Sequence, residues 1–250
     1  MQISILTVDL DFNLFMLIRK ISQKNISISN IVVAPKKKLH PIRKKQIKIR
    51  QTIFTNHNNY FNNIFFKIIT TNVKLFLKHI IFFIIKFKYK FTVIYLDKNF
   101  ENNKNIQFNN TTLMYSYEGI VSQKFLKKFK NGLINIHPAI LPEFRGLDAG
   151  LWALYEGGKL GVSAYLLDEG IDTGPIIKNY KLNKSQFKSV YEYVKLLKDL
   201  KLNSYPYAIK RYKKNNFEKY SPKISKHQNR GLMSLKKMKK LEKKIYKDNN

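Results

Sequence analysis

The sequence predicts an α/β fold built on a doubly wound, mostly parallel sheet. Three observations carry that expectation. The chain has 250 residues, 44% hydrophobic and 14% aromatic, which is enough to bury the core of a full domain. Short apolar runs of strand length alternate with stretches whose apolar residues recur at helical spacing, the order that yields parallel strands joined by crossover helices. All ten glycines lie at or after Gly119, nine of them between 119 and 174, so the tight turns of such a fold are gathered in one block.

Ile3 to Val8 is an apolar run that ends in acidic residues and reads as the first strand. Leu14, Leu17, Ile18 and Ile21 then fall on one face of a helix. Ile31 to Ala34, closed by Pro35, is the second strand, whereas residues 36–70 are basic and weakly periodic and receive no element. Val73 to Phe87 reads as a helix, Phe91 to Leu96 as a third strand, and Asn99 to Asn110 as an Asn-rich connector. Thr111 to Tyr117 and Gly132 to Asn135 are two further strands around a helix from Val121 to Phe129, and Ala164 to Leu167 is another strand. From Ser185 to Leu202, the residues Val190, Tyr193, Val194, Leu197 and Leu200 mark a core-facing helix. The chain from Tyr205 on is Lys-rich, and Leu232, Leu235, Met238, Leu241 and Ile245 suggest a last basic amphipathic helix, docked on the domain or frayed. The expected division is a catalytic domain over 1–204 and a basic C-terminal extension over 205–250, helical or partly disordered.

There are 47 Lys+Arg against 16 Asp+Glu, a formal charge of +31, which invites a polyanion partner such as tRNA. Only six of the basic residues are arginine, the side chain that phosphate and base recognition favours. Lys, Asn, Ile, Phe and Tyr share A/T-rich codons, so codon drift explains the composition at least as well as binding does. The block from Gly132 to Ile177 departs from the rest, with two basic and six acidic residues, a net −4. Cysteine is absent, which excludes a disulfide framework and a cysteine nucleophile. No apolar run has the length of a membrane span, and the first residues lack the pattern of a signal peptide, so the expected location is cytoplasmic, with no membrane partner.

Within the acidic block, Leu133-Ile-Asn135-Ile-His137-Pro138 places Asn135 and His137 on one face of a strand, because side chains two apart share a face. Pro138 and Pro142 stop regular pairing and leave both at the carboxyl end, the edge where open α/β sheets bind ligands. Downstream, Asp168-Glu169-Gly170-Ile171-Asp172-Thr173-Gly174-Pro175 is a tight polar loop. An amide, an imidazole and a carboxylate suffice for acyl transfer without a covalent intermediate. The amide and a protonated imidazole stabilise an oxyanion, while the carboxylate orients the imidazole and relays the proton of an attacking amine. A serine hydrolase is disfavoured because no G-x-S-x-G elbow occurs, and one histidine with scattered carboxylates has no metal-ligand spacing, so no metal is expected. Arg145 and Asp148 are weaker substrate-binding candidates, equally readable as a surface pair, and Trp152 reads as core.

Asn135-Ile-His137-Pro-x-x-Leu-Pro-x-x-Arg-Gly, followed by Gly161-Val and by Asp168-Glu-Gly-Ile-Asp172-Thr-Gly-Pro-Ile-Ile177, resembles the folate-dependent formyltransferase family, which includes phosphoribosylglycinamide, methionyl-tRNA and amino-sugar formyltransferases. The strong similarity covers roughly 115–180. It implies a Rossmann-like sheet, 10-formyltetrahydrofolate as donor, and a catalytic Asn135, His137 and Asp172. It also implies a folate site between the loop of Glu118, Gly119, Ile120 and Val121 and the loop of Leu167, Asp168, Glu169 and Gly170 up to Asp172. The implied reaction is direct attack of a primary amine through a tetrahedral intermediate.

The acceptor is expected to be an amino sugar or other small amine. The glycinamide branch carries a Gly- and Ser-rich phosphate turn after the first strand, whereas this chain has Leu6-Thr-Val-Asp9-Leu-Asp11-Phe-Asn13, with no glycine and two acids. The tRNA branch carries a C-terminal β-barrel, and the residues after Tyr205 lack strand alternation. Phosphoribosylglycinamide and a reduced tRNA enzyme stand next in order. A decayed folate- or polyanion-binding module is the reading from outside the enzyme class.

Overall fold

A computed structural model describes residues 1–36, 80–117, 121–217 and 229–248. The strands are β1 (Gln2–Thr7), β2 (Ser27–Val33), β3 (Thr92–Tyr95), β4 (Thr111–Met114), β5 (Leu133–His137), β6 (Arg145–Gly146), β7 (Leu160–Leu166), β8 (Ile176–Leu182) and β9 (Asn229–Arg230). Seven of them form one sheet in the order β3-β2-β1-β4-β5-β7-β8. The first five run parallel, while β7 is antiparallel to β5 and β8 antiparallel to β7. The sheet is therefore mostly parallel, as the alternation of strands and helices implied.

Side-chain alternation gives the sheet two working faces. On one face, Ile3 and Ile5 of β1 and Ile134 and Ile136 of β5 pack under the helix Phe12–Ser22 and the helix Val190–Lys213. The first of these helices starts where Asp11 Oδ1 accepts the Leu14 N–H at 2.8 Å, and Leu14, Leu17, Ile18 and Ile21 are fully buried. On the other face, Leu6, Val32 and Leu133 lie under Phe100, Phe108, Phe125 and Phe129. These aromatics meet edge-on or stacked, with Phe125 4.7 Å from Phe100 and 4.9 Å from Phe129 between ring centroids. Asn135 and His137 alternate with Ile134 and Ile136, so they lie on this second face.

Several boundaries differ from the sequence reading. β2 begins at Ser27, well before Ile31, because Ile28 already alternates into the core. Only Gln123–Leu126 of the helix expected from Val121 to Phe129 is α-helical. There the backbone of Phe108 bonds Lys128 O and Lys130 N, a bridge that competes with further helical pairing. β8 was not expected; its exposed Lys178 and Lys181 suit a sheet edge. The helix from Val190 runs on to Lys213, past Ser204, and buries Tyr205, Ala208 and Ile209 completely. Residues 80–89 are helical, in line with the end of the helix expected to Phe87, whose beginning lies outside the described residues. The last helix, Leu235–Asp248, buries Met238, Leu241 and Ile245 against the main core. Among the described residues no helix is long and apolar enough to cross a membrane.

Candidate active site

The site is assembled on two antiparallel strands. In the β5–β7 register, Asn135 lies opposite Tyr165 and His137 opposite Ser163. Ser163 Oγ accepts the Leu141 N–H and donates to Ala139 O, both at 2.8 Å. Those bonds fix the turn after Pro138, from which Phe144 O returns to His137 Nε2 at 2.9 Å. A carbonyl only accepts, so Nε2 carries the hydrogen. The other ring nitrogen, Nδ1, lies 3.3 Å from Asp172 Oδ2.

Asp172 reaches this position because the loop after β7 doubles back over the sheet face. Gly174 sits at the return, where a Cβ would stand 1.8 Å from Leu166 O. Asp168 Oδ1 accepts from Gly170 N at 3.1 Å and from Thr173 Oγ1 at 2.5 Å, and Arg145 donates to Ile171 O at 3.1 Å. Asp172 itself has φ 52°, a left-handed conformation that Asp tolerates better than most residues.

The carboxylate is held from three sides. Oδ1 accepts the Tyr165 hydroxyl at 2.6 Å, and Oδ2 accepts the Gly146 N–H at 2.9 Å besides facing His137. Tyr165 in turn accepts from Asn135 Nδ2 at 3.1 Å, so the three residues singled out in the sequence converge through a fourth, Tyr165, that the sequence reading missed. Nδ2 of Asn135 retains a second N–H. A proton placed between Nδ1 and the carboxylate would close this contact, so the His137–Asp172 pair can hold one transferable proton. Burial pushes the His137 pKa down, and the charges of Lys201 and Arg145 add to this; Asp172 and the Phe144 carbonyl oppose it without reversing the sign. Lys201, on the long helix between Leu197 and Tyr205, has its own pKa lowered to about 8 by desolvation. The Asp172 side chain is 15% exposed and that of His137 4%, so Asp172 is the member an incoming group can meet.

A family model described as formyl transferase matches residues 1–209, most of the chain. The chain belongs to that family. The region of similarity to curated formyltransferases is shorter. The chain is 41% identical over 66 residues to the methionyl-tRNA formyltransferase of Thermodesulfovibrio yellowstonii, which is 26% of this chain and 21% of that protein. It is 30% identical over 76 residues to the GDP-perosamine N-formyltransferase of Brucella melitensis, 30% of this chain and 29% of that protein. The matched regions thus span less than a third of either relative. Among solved structures, glycinamide ribonucleotide transformylase 1 from Symbiobacterium toebii aligns over 90% of this chain and 94% of that one, at 15% identity and a TM-score of 0.54, which shows a shared fold.

The remaining expected positions fall into two groups. Val121 is buried in the second-face cluster with Leu167 packed against it, and the Gln123 side chain donates to the Glu169 carboxylate. The segments around 121 and 167–170 are therefore brought together; Glu118, Gly119 and Ile120 lie outside the described residues. Arg145 and Asp148 are both bonded to backbone groups. Arg145 is 6% exposed and bonds the Ile171 carbonyl, and Asp148 Oδ2 accepts the Met233 N–H at 2.8 Å. Trp152 is partly buried against the main core, with its ring nitrogen donating to Gly231 O. No group of three or more His, Cys, Asp or Glu among the described residues is arranged to hold a metal.

Proposed function

We propose that the protein transfers a formyl group from 10-formyltetrahydrofolate to the amine of an amino sugar or other small molecule. The observation that carries this reading is the chain of contacts from Asn135 through Tyr165 to Asp172 and His137, two hydrogen bonds and a 3.3 Å approach of Nδ1 to the carboxylate. It has the parts of direct acyl transfer without a poised serine: Ser163, the serine of the facing strand, is committed to Leu141 and Ala139.

Bound 10-formyltetrahydrofolate supplies a formyl group already activated on nitrogen. The apolar wall of Val121 and Leu167 and the loop of Asp168, Glu169 and Gly170, with Glu118 to Ile120, are the residues we assign to hold it. The Gln123–Glu169 bond, which ties the two segments, supports that fit. Asn135 offers its second N–H to the oxygen that gains charge as the amine attacks. Asp172 takes the amine proton and shares it with Nδ1 of His137, whose other nitrogen is anchored on Phe144 O. Both imidazole nitrogens are thus engaged, so we assign the oxyanion to Asn135 and the proton store to the His137–Asp172 pair. The stored proton then returns to the departing nitrogen.

The acceptor assignment rests on the corner after β1. Asp11 Oδ1 caps the helix start, and the Tyr115 hydroxyl donates to both carboxylate oxygens at 2.9 and 3.1 Å. A phosphate at that helix start would have to displace a carboxylate from the same N–H groups. This favours an acceptor without a phosphate there over phosphoribosylglycinamide. The test is a mass-spectrometric screen of amino sugars, small amines, phosphoribosylglycinamide and charged initiator tRNA with 10-formyltetrahydrofolate. The expected result is an amine-dependent N-formyl product from an amino sugar or small amine. Equal turnover with water alone would overturn the transfer reaction, and faster formylation of phosphoribosylglycinamide or tRNA would overturn the acceptor.

A further inference from the structure

The catalytic carboxylate is braced by a segment distant in the chain. β9 (Asn229–Arg230) pairs in parallel with β6 (Arg145–Gly146), and the Leu147 N–H donates to Arg230 O at 2.9 Å. The same two β6 residues hold the Ile171–Asp172 turn, Arg145 through Ile171 O and Gly146 through its N–H on Asp172 Oδ2. Gly146 is thus sandwiched. A Cβ there would stand 2.4 Å from both Arg230 O and Asn229 Oδ1, and its φ is +86°, so the position accommodates only glycine while the segment is docked.

The docking is extensive. Arg230 makes a two-pronged ion pair with Glu156, at 2.8 and 3.2 Å, at the end of the helix Ala149–Glu156. Gly231 O accepts from Trp152, the Met233 N–H donates to Asp148, and Lys237 lies 4.4 Å from the Trp152 ring centroid. Met233, Met238, Leu241 and Ile245 are buried. The docked residues, 229–248, lie beyond residue 209, where the match to the family model ends.

We propose that residues 229–248 act as a strap that positions the Asp172 carboxylate through Gly146, with Arg230 as the positioning residue. The proposal rests on the catalytic reading of Asp172 given above. The basic extension is then a working part of the transferase domain.

The test compares the full-length protein with Arg230→Glu, which sets two carboxylates against each other, with the charge swap Arg230→Glu/Glu156→Arg, and with Met238→Glu, which forces a charge under the strap helix. Three measurements are made on each: amide exchange at Gly146 and Leu147, the chemical shifts of the His137 imidazole, and steady-state kinetics with 10-formyltetrahydrofolate and the best amine. The imidazole also senses Arg145 and Lys201, which none of the variants alters. The expected result for Arg230→Glu is exchange at Leu147 faster by about tenfold or more, a kcat lower by about tenfold, and KM values within about twofold, with the swap recovering most of the loss. Met238→Glu is expected to move the same readouts in the same direction. Faster exchange with unchanged kcat and unchanged imidazole shifts would overturn the proposal. So would unchanged exchange in both single variants, since the strap would then not be held by these contacts. If the wild-type protein forms no formyl product, the reading of the reaction fails; exchange and imidazole shifts still report whether the strap is coupled to the Asp172–His137 pair.

Discussion

Tyr165→Phe removes one oxygen from the centre of the site and changes little else. Tyr165 is 2% exposed, and its ring stays packed in the variant. Two bonds are lost: the 2.6 Å donation to Asp172 Oδ1 and the 3.1 Å acceptance from Asn135 Nδ2. A hydrogen bond to a charged partner is worth about 1.5–3 kcal/mol, and about 1.4 kcal/mol is a factor of ten in rate. If most of that is felt when the carboxylate must take a proton in a fixed place, kcat falls about 10- to 100-fold. The folate KM is expected to stay within about threefold, because Tyr165 is not among the residues assigned to hold the folate. The Asn135 N–H left without its partner adds a stability loss of about 1–3 kcal/mol, read by urea unfolding. Asn135→Ala in the Tyr165→Phe background is expected to cost less than in the wild type, since the two share one bond. A folded Tyr165→Phe protein with kcat within twofold of wild type, or full additivity with Asn135→Ala, would refute the reasoning.

His137→Ala and Asp172→Asn are each expected to lower kcat by about 10²–10⁴-fold while the far-UV circular dichroism stays native, Asn tolerating the left-handed backbone at 172 as Asp does. The folded protein holds the His137 pKa below its ordinary value of 6.5, so the unfolded chain binds more protons as the pH falls through that value. The contribution of His137 to stability is therefore complete above pH 6.5 and is lost as the pH drops from there toward the folded pKa; urea unfolding across that window is expected to show a shallower decline in His137→Gln than in wild type. Gly174→Ala drives a Cβ to within 1.8 Å of the Leu166 carbonyl, so the loop has to shift; activity is expected to fall more than tenfold with a lower melting temperature, measured on the purified variant.

Strong periodicity and rigid punctuation made parts of this molecule legible before its structure. The strand at Ile3, the helix through Leu14 and Ile21, and the pairing of Asn135 with His137 all follow from spacing. The acidic Gly-rich block also located the loop that carries Asp172. Tyr165 was missed because a tyrosine in an apolar strand looks like core in a chain with 15 tyrosines, and its role depends on a cross-strand register that spacing does not reveal. β8 was missed because Lys178, Asn179 and Lys181 interrupt its apolar residues without a clean alternation, a weak signal in so Lys-rich a chain. The strap was read as a charged extension because β9 is only two residues long and carries no pattern, and its contacts with the helix Ala149–Glu156 and its cap are made across more than 70 positions of sequence, as between Met233 and Asp148. Asp148 and Arg145 stood out in the sequence, where a substrate contact and a surface pair were equally readable; their bonds to Met233 and Ile171 depend on folding that spacing does not reveal.

Three of the four polar groups in the site sit on strands locked to one another residue by residue, and only Asp172 rides on a loop. Heat therefore has an uneven target. The bonds from Tyr165 and Gly146 to Asp172 can open without unpairing β5 from β7, at a cost well below that of melting the sheet. Catalytic competence and foldedness then have separate midpoints, the first at the lower temperature. Cooling from between the two should restore full activity without refolding, as the carboxylate drops back into a cradle that never came apart.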